Sequence, residues 1–273
     1  MKQILIATDF SSEAANAMEY ALELAKVLKQ ELCVMHAVGS LEGVNNNTYN
    51  ALYIDDYQNS KREALKTWAD KFADRDGFRD VPVSTRVDVG SVSGVIIKYV
   101  AENPVTIIVM GASGSTGIAG LFGSNTSAVV EKGTTPVLIV PQASTFSPEP
   151  NITLASDYSV PLSAGDVEAL NELIKAFGTE KVQVLNVVEK ADPAIQEKGE
   201  TDLKAVIAGA ELVFNYLTDT NPLNGIINFI ETSQTDIVCV VKHHHNVIYR
   251  IFNRSTVNRV LNRSIKAVLV LHE

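Results

Sequence analysis

The segment QILIATDFS at 3–11 returns as NITLASDYS at 151–159, setting Asp157 against Asp9. Three further stretches repeat in the same order. ELCVMHAVGS (31–40) matches KVQVLNVVEK (181–190), and VTIIVMG (105–111) matches TDIVCVVK (235–242). LFGSNTSAVVEKGTTPVLIV (121–140) matches IFNRSTVNRVLNRSIKAVLVL (251–271), pairing Phe252 with Phe122 and Thr256 with Thr126. A chain that repeats itself at this spacing must build one supersecondary unit twice. Charge divides evenly as well, with 12 basic and 17 acidic residues before position 151 and 11 and 15 from there on. The repeat predicts a unit at 1–143, a linker at 144–150 (STFSPEP, with two prolines and no apolar periodicity) and a second unit at 151–273.

Within the first copy, apolar runs alternate with helical spacing. QILIATD (3–9), ELCVMHAV (31–38), PVSTRVDV (82–89), VTIIVMG (105–111) and PVLIVP (136–141) read as strands. VTIIVMG shows no polar alternation, as expected of a parallel strand buried on both faces. Ala14, Met18, Ala21, Leu22, Ala25 and Leu28 recur at helical spacing after Ser11 or Ser12, either of which suits an N-cap. Further helices are predicted up to about Asp74, over SVSGVIIKYVAEN, and from about Ser124 to Gly133. Strand–helix alternation of this kind predicts a doubly wound α/β fold with a parallel sheet in each copy.

Composition excludes several classes. A net charge of −9 argues against nonspecific nucleic-acid binding. The longest apolar runs fall short of the roughly 18 residues of a membrane span. The first residues, MKQILIATDF, read as a strand and not as a signal peptide, so a cytoplasmic location is expected. Cys33 and Cys239, each inside an apolar run, read as small buried hydrophobes.

The chemistry concentrates in GASGSTGIAGLFGSNT (111–126), where Gly111, Gly114, Gly117, Gly120 and Gly123 stand three apart. Glycine carries an entropic cost on ordering, so five of them imply close approach to the backbone or a loop that must move. The loop holds no lysine, which excludes a Walker A loop. It follows the fourth strand and lacks the GxGxxG spacing of dinucleotide folds, and it lacks the GxSxG of a nucleophile elbow. His36 is the one histidine of the first half, which argues against Ser–His–Asp chemistry. What fits is a turn that leaves a buried strand and enters a helix near Ser124, with backbone N–H groups and the helix N-terminus facing an anion. Ser124, Asn125 and Thr126 either cap that helix or donate to a phosphate. Asp9, at the same sheet edge, either caps the next helix or meets a ribose hydroxyl or hydrated metal.

These residues resemble the universal stress protein family in its tandem two-domain form. Its nucleotide-binding members carry G-x2-G-x9-G-S/T after the fourth strand and an aspartate after the first. Gly111-x2-Gly114 matches the opening and Gly123-Ser124 the close, with a spacer of eight residues in place of nine. The resemblance implies five-stranded sheets of order 3-2-1-4-5 and an adenine nucleotide, ATP or AMP with Mg2+, in the first domain. By matching position, Ala7, Thr8 and Asp9 lie near the nucleotide, Ala37 near the adenine, and Met110 and Gly111 against the ligand. Gly114, Gly123, Ser124 and Asn125 face the phosphates. It implies a regulatory protein and not an enzyme, with slow ATP hydrolysis as the upper limit of its chemistry. The last strands of the two copies are expected to pair as a built-in dimer. Whether two tandem chains associate again into a homodimer, and which protein partner they meet, stays open.

In the second copy the loop is VKHHHNVIYRIFNRST, with Lys242 at the place of Gly111, His245 at Gly114, Asn253 at Gly123 and Arg254 at Ser124. Side chains stand where bare backbone is needed, so no nucleotide is expected there. Lys242, Arg250, Arg254, Arg259, Arg263 and Lys266, with His243, His244 and His245, make a locally basic stretch. It reads either as a solvated helix face or as an anion- or partner-docking patch. The three adjacent histidines point in different directions and predict no metal site.

Overall fold

A computed structural model describes residues 2–39, 50–112, 123–159, 161–241 and 266–272. The histidines at 243–245, the basic residues from Lys242 to Arg263, and Gly114 lie outside the described residues.

The first half runs β1 (Gln3–Ala7), α1 (Ser12–Leu28), β2 (Glu31–Val38), α2 (Asn50–Ala73), β3 (Val83–Val89), α3 (Val92–Glu102), β4 (Val105–Gly111), α4 (Ser124–Lys132) and β5 (Val137–Val140). The second runs β6 (Ile152–Ala155), α5 (Ala164–Phe177), β7 (Lys181–Val188), α6 (Pro193–Val206), β8 (Glu211–Thr218), α7 (Pro222–Thr232), β9 (Ile237–Val241) and β10 (Ala267–Leu271). The strands expected from apolar runs all form. Apolar runs alone single out neither β8 nor the helices α5, α6 and α7.

Local chemistry sets the helix ends. The Ser11 hydroxyl accepts from the Ala14 N–H and opens α1, which closes at Lys29 in the left-handed region. In the second copy Ser163 accepts from the Asp166 N–H and opens α5, which closes at Gly178 with φ of 63°. Between these ends Ala17, Met18, Ala21, Leu22 and Leu24 of α1 are buried, and so are Ala169, Leu170, Leu173 and Ile174 of α5.

All ten strands join one sheet of order β3-β2-β1-β4-β5-β10-β9-β6-β7-β8. Read inward from its own edge strand, each half has the order 3-2-1-4-5. Pairings within each half are parallel, while β5 and β10 run antiparallel with Leu138 opposite Leu269. Side chains alternate across the sheet. Ile4 and Ile6 join α1, α2 and α5 on one face, whereas Leu5, Ile108 and Val268 join α3, α4 and α7 on the other. Both cysteines are buried, and burial pushes the Cys239 thiol up to about 12.

Further contacts cross between the halves or tie the connecting stretch to them. Phe146, in the stretch without helix or strand that precedes β6, lies 5.2 Å from the Tyr20 ring of α1 and 5.8 Å from the Phe177 ring of α5. Asn16 donates to the carbonyls of Pro141 and Ser144. Lys2 pairs with Glu168 at 2.5 Å and also with Glu172. Gln30 donates to Glu172 at 3.1 Å.

Candidate functional site

In an order 3-2-1-4-5 the chain departs from β1 in opposite directions, so a crevice opens between the carboxyl ends of β1 and β4. A cavity of about 220 Å³ lies there. Ala7, Thr8, Asp9, Ala37, Met110, Gly111, Gly123, Ser124 and Asn125 all line it. Of the ten residues expected at the site, only Gly114 falls outside the described residues.

Each wall has a local cause. β1 ends when the Thr8 N–H donates to the Met35 carbonyl at 2.9 Å. The chain then turns sharply: the Phe10 N–H donates to Thr8 Oγ1 and the Ser11 N–H to Asp9 Oδ1, each at 3.0 Å. Phe10 takes up the left-handed region with φ of 65°. Asp9 therefore does hold a turn with one carboxylate oxygen, and it is exposed beside the cavity. The helix cap itself is Ser11 and not Asp9, so the capping expectation for this aspartate does not hold.

The opposite wall is the start of α4. Its N-cap is Gly123, which offers no side-chain cap, and no acidic residue stands in the first turn. The first backbone N–H groups of a helix have no intrahelical partner, and the dipole adds partial positive charge. Thr126, by contrast, turns inward, donating from its hydroxyl toward the Gly111 carbonyl at 3.5 Å.

Gly111 has a second reason to be glycine. A β-carbon there would sit 2.9 Å from the backbone carbon and oxygen of Glu13. The end of β4 thus packs directly on the first turn of α1, and this glycine serves the fold as well as the cavity.

Apolar residues complete the cavity. Val92, Val95 and Ile96 of α3 line it, as do Met35 and Met110. Sequence reading predicted a helix here and named none of its residues for the site, because valine and isoleucine in a helix carry no signal of a ligand. His36 also lines the cavity; its Nδ1 lies 2.8 Å from the Thr8 carbonyl, and its ring stacks on Phe10 at 4.5 Å. The only charged side chains among the described lining residues are the carboxylates Asp9 and Glu13, histidine aside. An anion here meets backbone N–H groups and neutral donors such as Ser124 and Asn125, or arrives with its own cation. Among the described residues no group of three or more His, Cys, Asp or Glu is placed to hold a metal.

The second half repeats the turn and places larger side chains beside it. Ser156 N–H donates to the Leu185 carbonyl at 3.0 Å, Tyr158 N–H to Ser156 Oγ and Ser159 N–H to Asp157 Oδ1. Tyr158 has φ of 60°, matching Phe10. Val187, however, stands at the place of Ala37 and packs on α7: a β-carbon at Gly225 would fall 2.6 Å from Val187 Cγ1. The Tyr158 ring covers Gly199 of α6, where a β-carbon would fall 2.2 Å from Tyr158 Cγ. The counterpart of the glycine loop, from Lys242 on, lies outside the described residues. Lys266, the last of the basic stretch, is described, and its ammonium lies 3.7 Å from Asp236 Oδ1. No helix among the described residues is long and apolar enough to cross a membrane.

Comparison with known proteins agrees with this architecture. Over its whole length the fold is similar to that of a universal stress protein from Archaeoglobus fulgidus, with a TM-score of 0.73 at 19% identity over 98% of this chain and 97% of that one. Another universal stress protein from Archaeoglobus fulgidus, solved in complex with dAMP, matches 51% of this chain and 97% of its own at 18% identity, with a TM-score of 0.37. In sequence, the universal stress protein YxiE of Bacillus subtilis is 30% identical over 146 residues, covering 50% of this chain and 97% of that protein. The universal stress protein MJ0577 of Methanocaldococcus jannaschii is 26% identical over 152 residues, covering 51% and 94%. The model of the universal stress protein family matches residues 1–141, the half that carries the open crevice, and the chain belongs to that family.

Proposed function

We propose that the first half binds one adenine nucleotide, ATP or AMP, between β1 and β4, and that the protein is a nucleotide-responsive regulator of the stress response. The observation that carries this reading is the uncapped N-terminus of α4 opening onto a cavity whose far side is apolar and whose near side is Asp9. Phosphates meet the free N–H groups of Ser124 and Asn125. The base enters between Ala37 and the α3 residues Val95 and Ile96, and Asp9 accepts from the ribose. Because Asp9 and Glu13 are the charged side chains at hand, a triphosphate enters with Mg2+ already bound, which lowers its repulsion from them.

In this reading the domains are 1–143 and 151–273, joined by 144–150, and the second acts as a built-in partner through β5 and β10. The protein works in the cytoplasm without turnover as its purpose; the described lining residues supply no lysine or arginine to clamp a transferring phosphate. Calorimetric titration of the full chain with MgATP, and separately with AMP, tests the proposal. One site per chain is expected. Two sites contradict a site confined to the first half, and absence of binding to either nucleotide overturns the function. Steady turnover above about 1 s⁻¹, the low end for enzymes, overturns the regulatory reading.

A further inference from the structure

His36 and Asn186 occupy the same place in the two copies, one residue after Met35 and Leu185. They make the same bond. His36 Nδ1 lies 2.8 Å from the Thr8 carbonyl, and Asn186 Nδ2 donates to the Ser156 carbonyl at 3.0 Å. In the second copy the amide orientation is fixed from the other side, since Asn186 Oδ1 accepts from Gln196 Nε2 at 3.3 Å. Asn186 is 1% exposed, so this is a buried side chain held at both ends of its amide.

The carbonyl they hold needs holding. Thr8 is the last residue whose N–H joins the β1–β2 ladder, and the chain leaves the strand immediately afterwards. A carbonyl can only accept, so His36 must carry its hydrogen on Nδ1. Imidazole Nδ1 and carboxamide Nδ2 stand the same number of bonds from Cα, which is why two different side chains do one job. The peptide between Thr8 and Asp9 is planar, so fixing the Thr8 carbonyl fixes the direction in which Asp9 leaves β1.

We infer that His36 is a positioning residue for the first-half site: its Nδ1–H locks the Thr8–Asp9 peptide and so aims the Asp9 carboxylate at the ligand. The inference rests on the nucleotide reading above for the ligand, but the lock itself is a property of the ligand-free protein. In the second copy the same lock survives where Val187 replaces Ala37 and the loop glycines are gone, so there it has only the fold to serve.

Two measurements on the full chain test it. In ligand-free, nitrogen-15-labelled protein, long-range proton–nitrogen correlation spectra should show the Nδ1–H tautomer at His36; an Nε2–H tautomer overturns the inference. MgATP titrations then compare wild type, His36→Leu, His36→Asn and Asn186→Leu. His36→Leu should weaken binding roughly tenfold, the equivalent of about 1.4 kcal/mol, and His36→Asn should recover affinity to within about threefold of wild type. Asn186→Leu should lower the thermal midpoint with MgATP affinity unchanged. Equal affinity in His36→Leu and wild type overturns the inference, as does a His36→Asn protein no better than His36→Leu. A wild type that binds no nucleotide refutes the function instead. The tautomer, together with loss of exchange protection at the Ser11 amide in His36→Leu, then still decides the lock.

Discussion

The two halves share a strand order, a left-handed aromatic after the first strand, and a side-chain lock on the preceding carbonyl. They differ in what stands over the crevice. Ala37 lines the open cavity in the first half, while the larger Val187 stands at its place in the second and packs on Gly225. Another exchange lies at the first helix. Where Ala14 donates its N–H to Ser11, the second half has Asp166, which is 0% exposed, accepts from the Ser163 hydroxyl, and takes the His272 N–H at 2.8 Å. Duplication preserved the backbone machinery, and each copy then assigned its side chains to a different end: one to a cavity, the other to the core.

The largest expected difference concerns Asp166. Burial raises its carboxyl from the ordinary value to about 6, against the opposing hydrogen bonds from Ser163 and His272. The folded state therefore holds a proton between about pH 4 and 6 that the unfolded state has released. Stability should fall as pH rises through that window, by at most about 3 kcal/mol, and level off above it. His272, whose Nδ1 lies 3.9 Å from Asp166 Oδ1, faces the same carboxyl. Asp166→Asn should flatten this part of a denaturant-midpoint profile against pH. An unchanged slope would mean that Asp166 titrates alike in both states.

Next come the glycines against which each crevice is built. Gly111→Ala presses on the backbone of α1, which cannot rotate away, and should cost about 2–3 kcal/mol by chemical denaturation. Gly225→Ala presses on a valine side chain and should cost about 1 kcal/mol. Reversed magnitudes would show α1 to be the softer wall. Exchanging the fillers sharpens the comparison further. Val187→Ala should cost about 2 kcal/mol, and Ala37→Val should leave stability nearly unchanged while weakening MgATP binding at least tenfold if the base sits beside it. The smallest effects should come from the helix caps: Ser11→Ala and Ser163→Ala should each lower stability by roughly 1 kcal/mol. A much larger loss at Ser163 would register its second bond, to Asp166.

Much of this was legible in the sequence because the central strands are buried on both faces and so read as unbroken apolar runs. β8 was not, since it forms a sheet edge where Tyr216 and Leu217 are exposed and its alternation is blurred. α6 buries little beyond Gly199 and Leu203, which leaves scant apolar spacing to detect. At the site, glycines and an aspartate announce themselves, whereas Val95 and Ile96 look like any core helix. His36 was visible only as an isolated histidine. Its meaning lay in Asn186, a residue of different chemistry at the same step of the repeat, and only the shared hydrogen bond reveals the equivalence.

The antiparallel seam has a consequence for how the chain is made. β5 ends at Val140 and its partner β10 begins at Ala267. During synthesis at about 5–20 residues per second, the bare edge of β5 waits roughly 6–25 s for that partner to emerge. Throughout that interval an unpaired apolar strand faces other nascent chains. The interval is the time during which a second copy would compete for the place reserved for β10, and it lengthens with every residue between the two strands.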